Sequence, residues 1–178
     1  MLTRLEPLKG HRVLIDALAK LRDLPGWVAW VAGGVQRPAD ADYLAELTGR
    51  AARAGVADRV RFIGHRSDPH RVTAAADVYC QPNTAPEGFG LTFVEALYAG
   101  VPVVTSGIGG AAEVVDATCG VLTPPGDAAA VADALAGLIR DPARRAKLGA
   151  NGPARAAALC DPAGSLTRLR DLLGAPAR

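Results

Sequence analysis

Aromatic residues are scarce in this chain: Phe, Trp and Tyr together make up 4% of its 178 residues. A surface that stacks nucleic-acid bases needs such rings, so their shortage argues against base stacking as the main activity. Charge of one sign does not accumulate either. Twenty Lys and Arg against 18 Asp and Glu leave a net charge of +2, and the basic residues are scattered, so nucleic-acid binding driven by a phosphate-neutralising face is not indicated. No apolar run approaches the ~18 to 20 residues needed to cross a bilayer, and the N-terminus lacks the charged-then-apolar layout of a signal peptide. A soluble, cytoplasmic chain is therefore expected. Cysteine is limited to Cys80, Cys119 and Cys160, odd in number, far apart and without metal-type spacing. They read as reduced, largely buried thiols. What the chain has in quantity is hydrophobic side chain, 49% of residues, enough to bury the core of one domain and to exclude a disordered or fibrous chain.

That hydrophobicity alternates between two periods. After a short N-terminal piece, Met1 to Leu5, the positions Val13, Leu14, Ala17, Leu18 and Leu21 recur with helical spacing until Pro25-Gly26 breaks the chain. Trp27 to Ala32 is a continuous apolar run ending in Gly33-Gly34, the pattern of a buried parallel strand that opens into a ligand-edge loop. The same alternation predicts helices over 41–54, 69–75, 91–99, 111–115, 127–140 and 142–148, with strands over 59–63, 78–81, 101–105 and 120–123. Strands alternating with helices indicate an α/β fold with a doubly wound parallel sheet and a ligand at the carboxyl ends of the strands. Residues 1–150 form this Rossmann-like unit. Residues 151–178, rich in Ala and Arg and carrying Pro153, Pro162 and Pro176, read as a broken helical tail.

The most informative stretch is Glu87-Gly-Phe-Gly-Leu-Thr-Phe-Val-Glu95. Gly88 and Gly90 let the backbone turn tightly and approach a ligand, and Leu91 opens a helix that stops at Gly100. The N–H groups of Phe89 to Thr92 lack intrahelical acceptors and carry the positive end of the dipole, so they suit a phosphate or an oxygen-rich sugar. Glu95, one turn further in, leans back over the same place because helical side chains tilt toward the N-terminus. Carboxylates repel phosphate. The combination makes sense for a mixed ligand, with hydroxyls facing Glu87 and Glu95, anionic oxygens facing N–H groups, and a cation supplied elsewhere. Arg4 and Lys9, at the first strand-to-helix junction, are the candidates, Arg as a fork on one phosphate and Lys as a point charge on the next.

Other motifs read as structural. Asp40-Ala-Asp42 imitates a metal-binding Asp-x-Asp but opens a helix after Pro38, where acidic residues act as caps. His11, His65 and His70 lack ligand spacing and are expected at the surface or in loops. Glu113 follows Gly109-Gly110 at a helix start, suited either to the dipole or to a ligand at that edge. No nucleophile elbow with a Ser-His-Asp or Cys-His set is present. Glu87 and Glu95 as a hydrolase pair is the weaker reading, since phosphate-type elements flank them.

Arg4 with Lys9-Gly10, Arg61-Phe-Ile-Gly64, Ala76-Asp-Val78, Glu87-Gly-Phe-Gly-Leu with Glu95-Ala96, Gly100-Val-Pro-Val-Val104, Gly109-Gly110 with Glu113-Val-Val115, and Gly120-Val-Leu-Thr-Pro124 follow one another in a familiar order. The chain resembles the C-terminal, donor-binding half of the retaining GT-B glycosyltransferases of family four, the glycosyl transferases group 1. The likeness runs from about Leu2 to Leu148. It implies that Arg4 and Lys9 bind the diphosphate of a UDP-, GDP- or ADP-sugar, with Glu87 on the transferred hexose. Gly88, Phe89, Gly90 and Leu91 would lie beside it, Thr92 at the phosphate, Glu95 on the ribose, and Gly64 and His65 at the base. The set Arg4, Lys9 and Glu87 would carry catalysis. Retention of configuration and no metal or other cofactor are implied as well. Asn83 stands where serine is common, in a spacer one residue longer than usual, and Thr3 stands where a glycine often precedes the arginine.

Nothing in the sequence matches the N-terminal acceptor domain of that family. The resemblance therefore implies an excised domain, a truncated reading frame or one part of a two-chain enzyme, inactive by itself, with peripheral membrane association left open for the full enzyme. A non-catalytic nucleotide-sugar-binding module, or one subunit of a split transferase, is the alternative. An NAD-dependent oxidoreductase is disfavoured, because no Gly-x-Gly-x-x-Gly opens the first helix.

Overall fold

A computed structural model describes residues 1–174. Five strands alternate with helices: α1 His11–Lys20, β1 Ala29–Ala32, α2 Pro38–Arg53, β2 Val60–Gly64, α3 Pro69–Ala74, β3 Tyr79–Gln81 and α4 Leu91–Tyr98. The order continues with β4 Val103–Ser106, α5 Gly110–Val114, β5 Gly120–Thr123, α6 Ala128–Arg140, α7 Pro142–Leu159 and α8 Pro162–Leu172. A short 3-10 turn over Pro7–Lys9 precedes α1. All strand pairs are parallel, β1 with β2 and β3 with β4 and β5. The expected doubly wound sheet is thus present but divided in two. Met1–Thr3 run alongside β1 and form only an isolated parallel bridge, Leu2 with Ala32, in place of a full first strand.

Neighbouring residues of β4 show why the strands read as continuous apolar runs. Val103 belongs to the cluster packed by α4, α5 and α7, and Val104 to the cluster packed by α1, α2 and α6. Successive strand residues point to opposite faces, and here helices cover both. The apolar positions of α1 at Val13, Leu14, Ala17 and Leu18 are all buried, as their spacing predicts.

The main departure lies at the C-terminal end. The helix expected to stop at Leu148 continues through Pro153 to Leu159, so residue 151 is mid-helix and the expected break there does not occur. Small side chains explain the tolerance. Added Cβ atoms on Gly149 and Gly152 would lie 2.2 Å from the Gly100 oxygen and 2.5 Å from the Leu97 oxygen, so α7 presses directly on the end of α4. The gain from this close packing offsets the hydrogen bond that an interior proline forfeits. The tail's last proline, Pro176, lies outside the described residues.

Asp40 behaves as a cap: its carboxylate accepts from the N–H groups of Gln36 and Arg37 at 3.0 Å each. His11 contradicts expectation. It is buried at 1% exposure, because the first turn of α1 faces Tyr43 of α2, with the rings in a T-shaped contact at 5.7 Å. Cys80 and Cys119 are free and buried, Cys160 partly so.

Candidate functional site

Three chain segments meet at the carboxyl ends of the strands, and glycines set how closely. Gly10, at φ 80°, brings the start of α1 against the loop after β3, where a Cβ would lie 1.8 Å from the Pro82 oxygen. The Thr84 N–H donates to the Leu8 oxygen at 2.9 Å across the same junction. From the other side, Gly109 and Gly110 press on the Glu87–Gly88 backbone. The Gly110 N–H donates to the Glu87 oxygen at 2.9 Å, and a Cβ on Gly110 would lie 2.0 Å from the Gly88 oxygen. Only residues without a side chain permit these approaches. This is the role the fold finds for Gly109-Gly110, while Glu113 stays exposed on α5.

The result is a carboxylate with unequal oxygens. Glu87 Oε2 receives the Lys9 ammonium at 2.7 Å, the Asn83 amide at 3.2 Å and the Gln81 amide at 3.4 Å. Oε1 takes none of these donors. Behind this oxygen a buried polar chain holds the donors in place. Gln81 Nε2 also donates to Asn83 Oδ1 at 3.0 Å, the Tyr79 hydroxyl lies 2.9 Å from Gln81 Oε1, and the Thr105 hydroxyl donates to the Gln81 carbonyl at 2.8 Å. Burial by itself would raise the Glu87 pKa. The hydrogen bond and charge of Lys9, with the Asn83 amide and the Gly88 N–H, more than reverse this and hold it below the ordinary glutamate value. Burial is the largest influence on Tyr79 and Cys80 and raises both pKa values, that of Cys80 to about 12, against hydrogen bonds from Thr92 and Leu2 to Tyr79 and the positive N-terminus near Cys80.

A cleft of about 600 Å³ opens in front of this carboxylate. Of the residues proposed from the sequence, Arg4, Lys9, Glu87, His65, Phe89, Gly90, Leu91 and Thr92 line it. Gly64, Gly88 and Glu95 do not. Gly64 stands just behind the wall, its carbonyl accepting from the Gly33 N–H at 2.9 Å, and Glu95 is exposed on α4 one turn beyond Leu91. At the start of α4, Gly90 adopts φ 83° as the N-cap, and the Leu91 and Thr92 N–H groups are left for a ligand.

Both candidate cations have acidic partners within the chain. Arg4 pairs with Glu6 Oε1 at 2.7 Å, its own side chain 65% exposed, whereas Lys9 and Glu87 are only 11% and 17% exposed and pair with each other. Two opposite charges drawn this far from water must pair. Sequence reasoning also missed Gln81 and Asn83 as supports, and Arg66, which lines the cleft while bonding Asp68 at 2.9 Å through both guanidinium arms. The available signal was polar side chains at the end of an apolar strand, too common a pattern to single out.

The family model of the glycosyl transferases group 1 matches residues 1–155. The lipopolysaccharide core biosynthesis mannosyltransferase LpsB of Rhizobium meliloti is 37% identical over 156 residues, 85% of this chain and 44% of that protein. The phosphatidyl-myo-inositol mannosyltransferase of Mycobacterium tuberculosis is 40% identical over 123 residues, 67% of this chain and 30% of that protein. Among solved structures, Anabaena HepE in complex with UDP and glucose superposes with a TM-score of 0.88 at 34% identity, covering 98% of this chain and 47% of HepE. The chain spans less than half the length of these relatives. No described helix is long and apolar enough to cross a membrane.

Proposed function

Because this chain belongs to the glycosyl transferases group 1 family, we propose that its cleft holds the donor in a retaining hexosyl transfer from a nucleotide-diphosphate sugar. The carrying observation is the division of labour at Glu87: Oε2 is occupied by Lys9, Asn83 and Gln81, which leaves Oε1 to accept hydroxyls of the transferred sugar. Lys9 keeps one side toward the cleft. From there its ammonium reaches a phosphate oxygen while still neutralising Glu87, and Arg4, whose own side chain is exposed, turns to the second phosphate from the largely buried Glu6, which keeps Arg37 at 3.9 Å. The Leu91 and Thr92 N–H groups stabilise the charge that grows on the leaving diphosphate, which is why we assign no metal to the step. Glu95 takes the ribose hydroxyls from the rim, and the loop at Gly64 and His65 meets the base. In this reading the bond from the sugar's anomeric carbon to the phosphate oxygen breaks, and the acceptor oxygen attacks from the same face. In this reading the acceptor is held by a separate acceptor domain and not by this cleft.

Support comes from two sides: HepE was solved with UDP and glucose, and relatives are named mannosyltransferases. Calorimetric titration with UDP, GDP, ADP and their sugar conjugates tests the reading. One nucleoside diphosphate should bind, and Arg4→Ala with Lys9→Ala should weaken it at least tenfold. Affinity unchanged in the double variant would overturn the phosphate assignment. A second reading is a binding module or one subunit of a split transferase. Co-expression with an acceptor-domain polypeptide separates them: transfer with the partner indicates a split enzyme, and binding without transfer a module.

A further inference from the structure

Glu6 stands beside the cleft with two guanidinium groups on one oxygen. Its Oε1 pairs with Arg4 Nη1 at 2.7 Å and lies 3.9 Å from Arg37 Nη2. Arg4 lines the cleft, whereas Glu6 and Arg37 do not. Exposure separates the three: the Glu6 side chain keeps 13%, those of Arg4 and Arg37 65% and 63%. A carboxylate drawn this far from water needs a cation beside it, while either arginine can stand in solvent alone. The backbone does not meet that need. Glu6 is the N-cap of the turn Pro7–Lys9, yet its side chain accepts no cap hydrogen bond.

Arg37 is fastened independently of Arg4. Its Nε and Nη2 donate to Asp40 Oδ1 at 3.2 and 3.0 Å, and the buried Asp40 accepts the Gln36 and Arg37 N–H groups on Oδ2. The guanidinium is thus held at the start of α2, within reach of Glu6, whatever Arg4 does. Under the donor reading Arg4 leaves Glu6 for a phosphate, and the cost of that exchange depends on what remains at Glu6. A lone carboxylate would be both largely buried and unpaired, and its charge would repel the incoming diphosphate. With Arg37 already at 3.9 Å, the carboxylate keeps a counter-charge and its field at the ligand is offset.

We propose that Arg37 is a positioning residue for donor binding, which never touches the nucleotide-sugar but takes over the charge of Glu6 when Arg4 turns to the diphosphate. In the empty cleft the two arginines share one carboxylate. In the filled cleft Arg4 belongs to the phosphate and Glu6 to Arg37. Glu6 therefore restrains Arg4, and Arg37 sets how strongly. The proposal rests on the donor reading, because it takes Arg4 to be a phosphate ligand. Its competitor is simple attraction, since an exposed arginine near an anion site draws anions through its net charge without any help from Glu6. The two differ in one respect: only the proposed route passes through Glu6, so a double-mutant cycle on Glu6 and Arg37 separates them.

The probe is whichever of UDP, GDP and ADP binds the native chain, titrated calorimetrically at about 0.15 M salt. Arg37→Gln should weaken binding about fivefold, because Arg4 must then leave an unpaired carboxylate behind. Glu6→Gln should strengthen it about threefold, since Arg4 is released from its partner. In the Glu6→Gln background, Arg37→Gln should change affinity by less than about twofold. A similar loss in both backgrounds overturns the proposal, whether it comes from net charge or from damage to the start of α2. Unchanged affinity in Arg37→Gln alone overturns it as well. Arg4→Ala, measured alongside, keeps the two failures apart. If no diphosphate binds, or Arg4→Ala leaves binding intact, the phosphate assignment of Arg4 falls and takes this proposal with it; if Arg4→Ala weakens binding and Arg37→Gln does not, only the role of Arg37 falls.

Discussion

At the scale of single residues, the site turns on how Glu87 is held rather than on Glu87 itself. Asn83 and Gln81 are buried and spend their amides on one carboxylate oxygen and on each other. Under the proposed function, removing one donor lets the carboxylate rotate and weakens its hold on the sugar, while the phosphate ligands stay in place. Asn83→Ala should therefore lower affinity for the nucleotide-sugar about tenfold, ~1.4 kcal/mol, and leave the nucleoside diphosphate within twofold, as measured by calorimetry on both ligands. His11 carries a separate consequence. Both of its nitrogens are buried without a hydrogen-bond partner among the described residues, and burial lowers its pKa from 6.5 to about 4. The unfolded chain binds a proton in that window that the folded chain refuses. Stability is thus full above pH 6.5 and declines as pH falls toward 4, by about 3 kcal/mol in all. Urea unfolding at pH 7, 5 and 4 should show this decline for the native chain and a flatter profile for His11→Leu.

Elements meet through glycine here, and helix contacts are correspondingly intolerant of added volume. At the α4–α7 crossing, a side chain on Gly152 collides with backbone, not with a flexible neighbour. Gly152→Val should destabilise by about 1 to 3 kcal/mol, visible as a lowered thermal midpoint, with nucleotide affinity retained below the midpoint because the cleft is built from other segments. Gly10→Ala is the converse case. It is strained both by its positive φ and by the Pro82 oxygen, and relief moves Lys9 away from Glu87. That variant should lose donor affinity at temperatures where it is still folded, and equal affinity in the folded variant would show that the Lys9 position does not matter.

For the whole molecule, the cleft binds from one side only. The strand ends, α4 and the His65 loop form one wall, and under the proposed function a second, acceptor-bearing wall completes the site for transfer. The chain alone should therefore bind donor and yield less than 1% of the transfer seen when an acceptor-domain polypeptide is supplied, scored with radiolabelled sugar. Transfer at the full rate by the chain alone would refute the assignment of the acceptor to another domain.

Much of this was legible in the linear sequence because its determinants are local. Period-2 and period-3.6 patterns marked all five strands and most helices within a few residues, Gly90 and Gly100 marked the two ends of α4, and the Glu87–Glu95 spacing marked the ligand edge. The extension of α7 was not legible, because Pro153 argues against a helix locally and the compensation comes from Leu97 and Gly100, some fifty residues away in sequence. Nor was the burial of His11, which depends on where Tyr43 arrives. At the site, residue types and order were set by the sequence alone: two glutamates, an arginine, a lysine and a helix start. Tertiary structure alone decided that Lys9 shares its charge with Glu87, that Gln81 and Asn83 occupy one oxygen and leave the other without a side-chain donor, and that the sheet is divided. Each of these is a distance between segments remote in the chain, and local propensity carries no information about such distances.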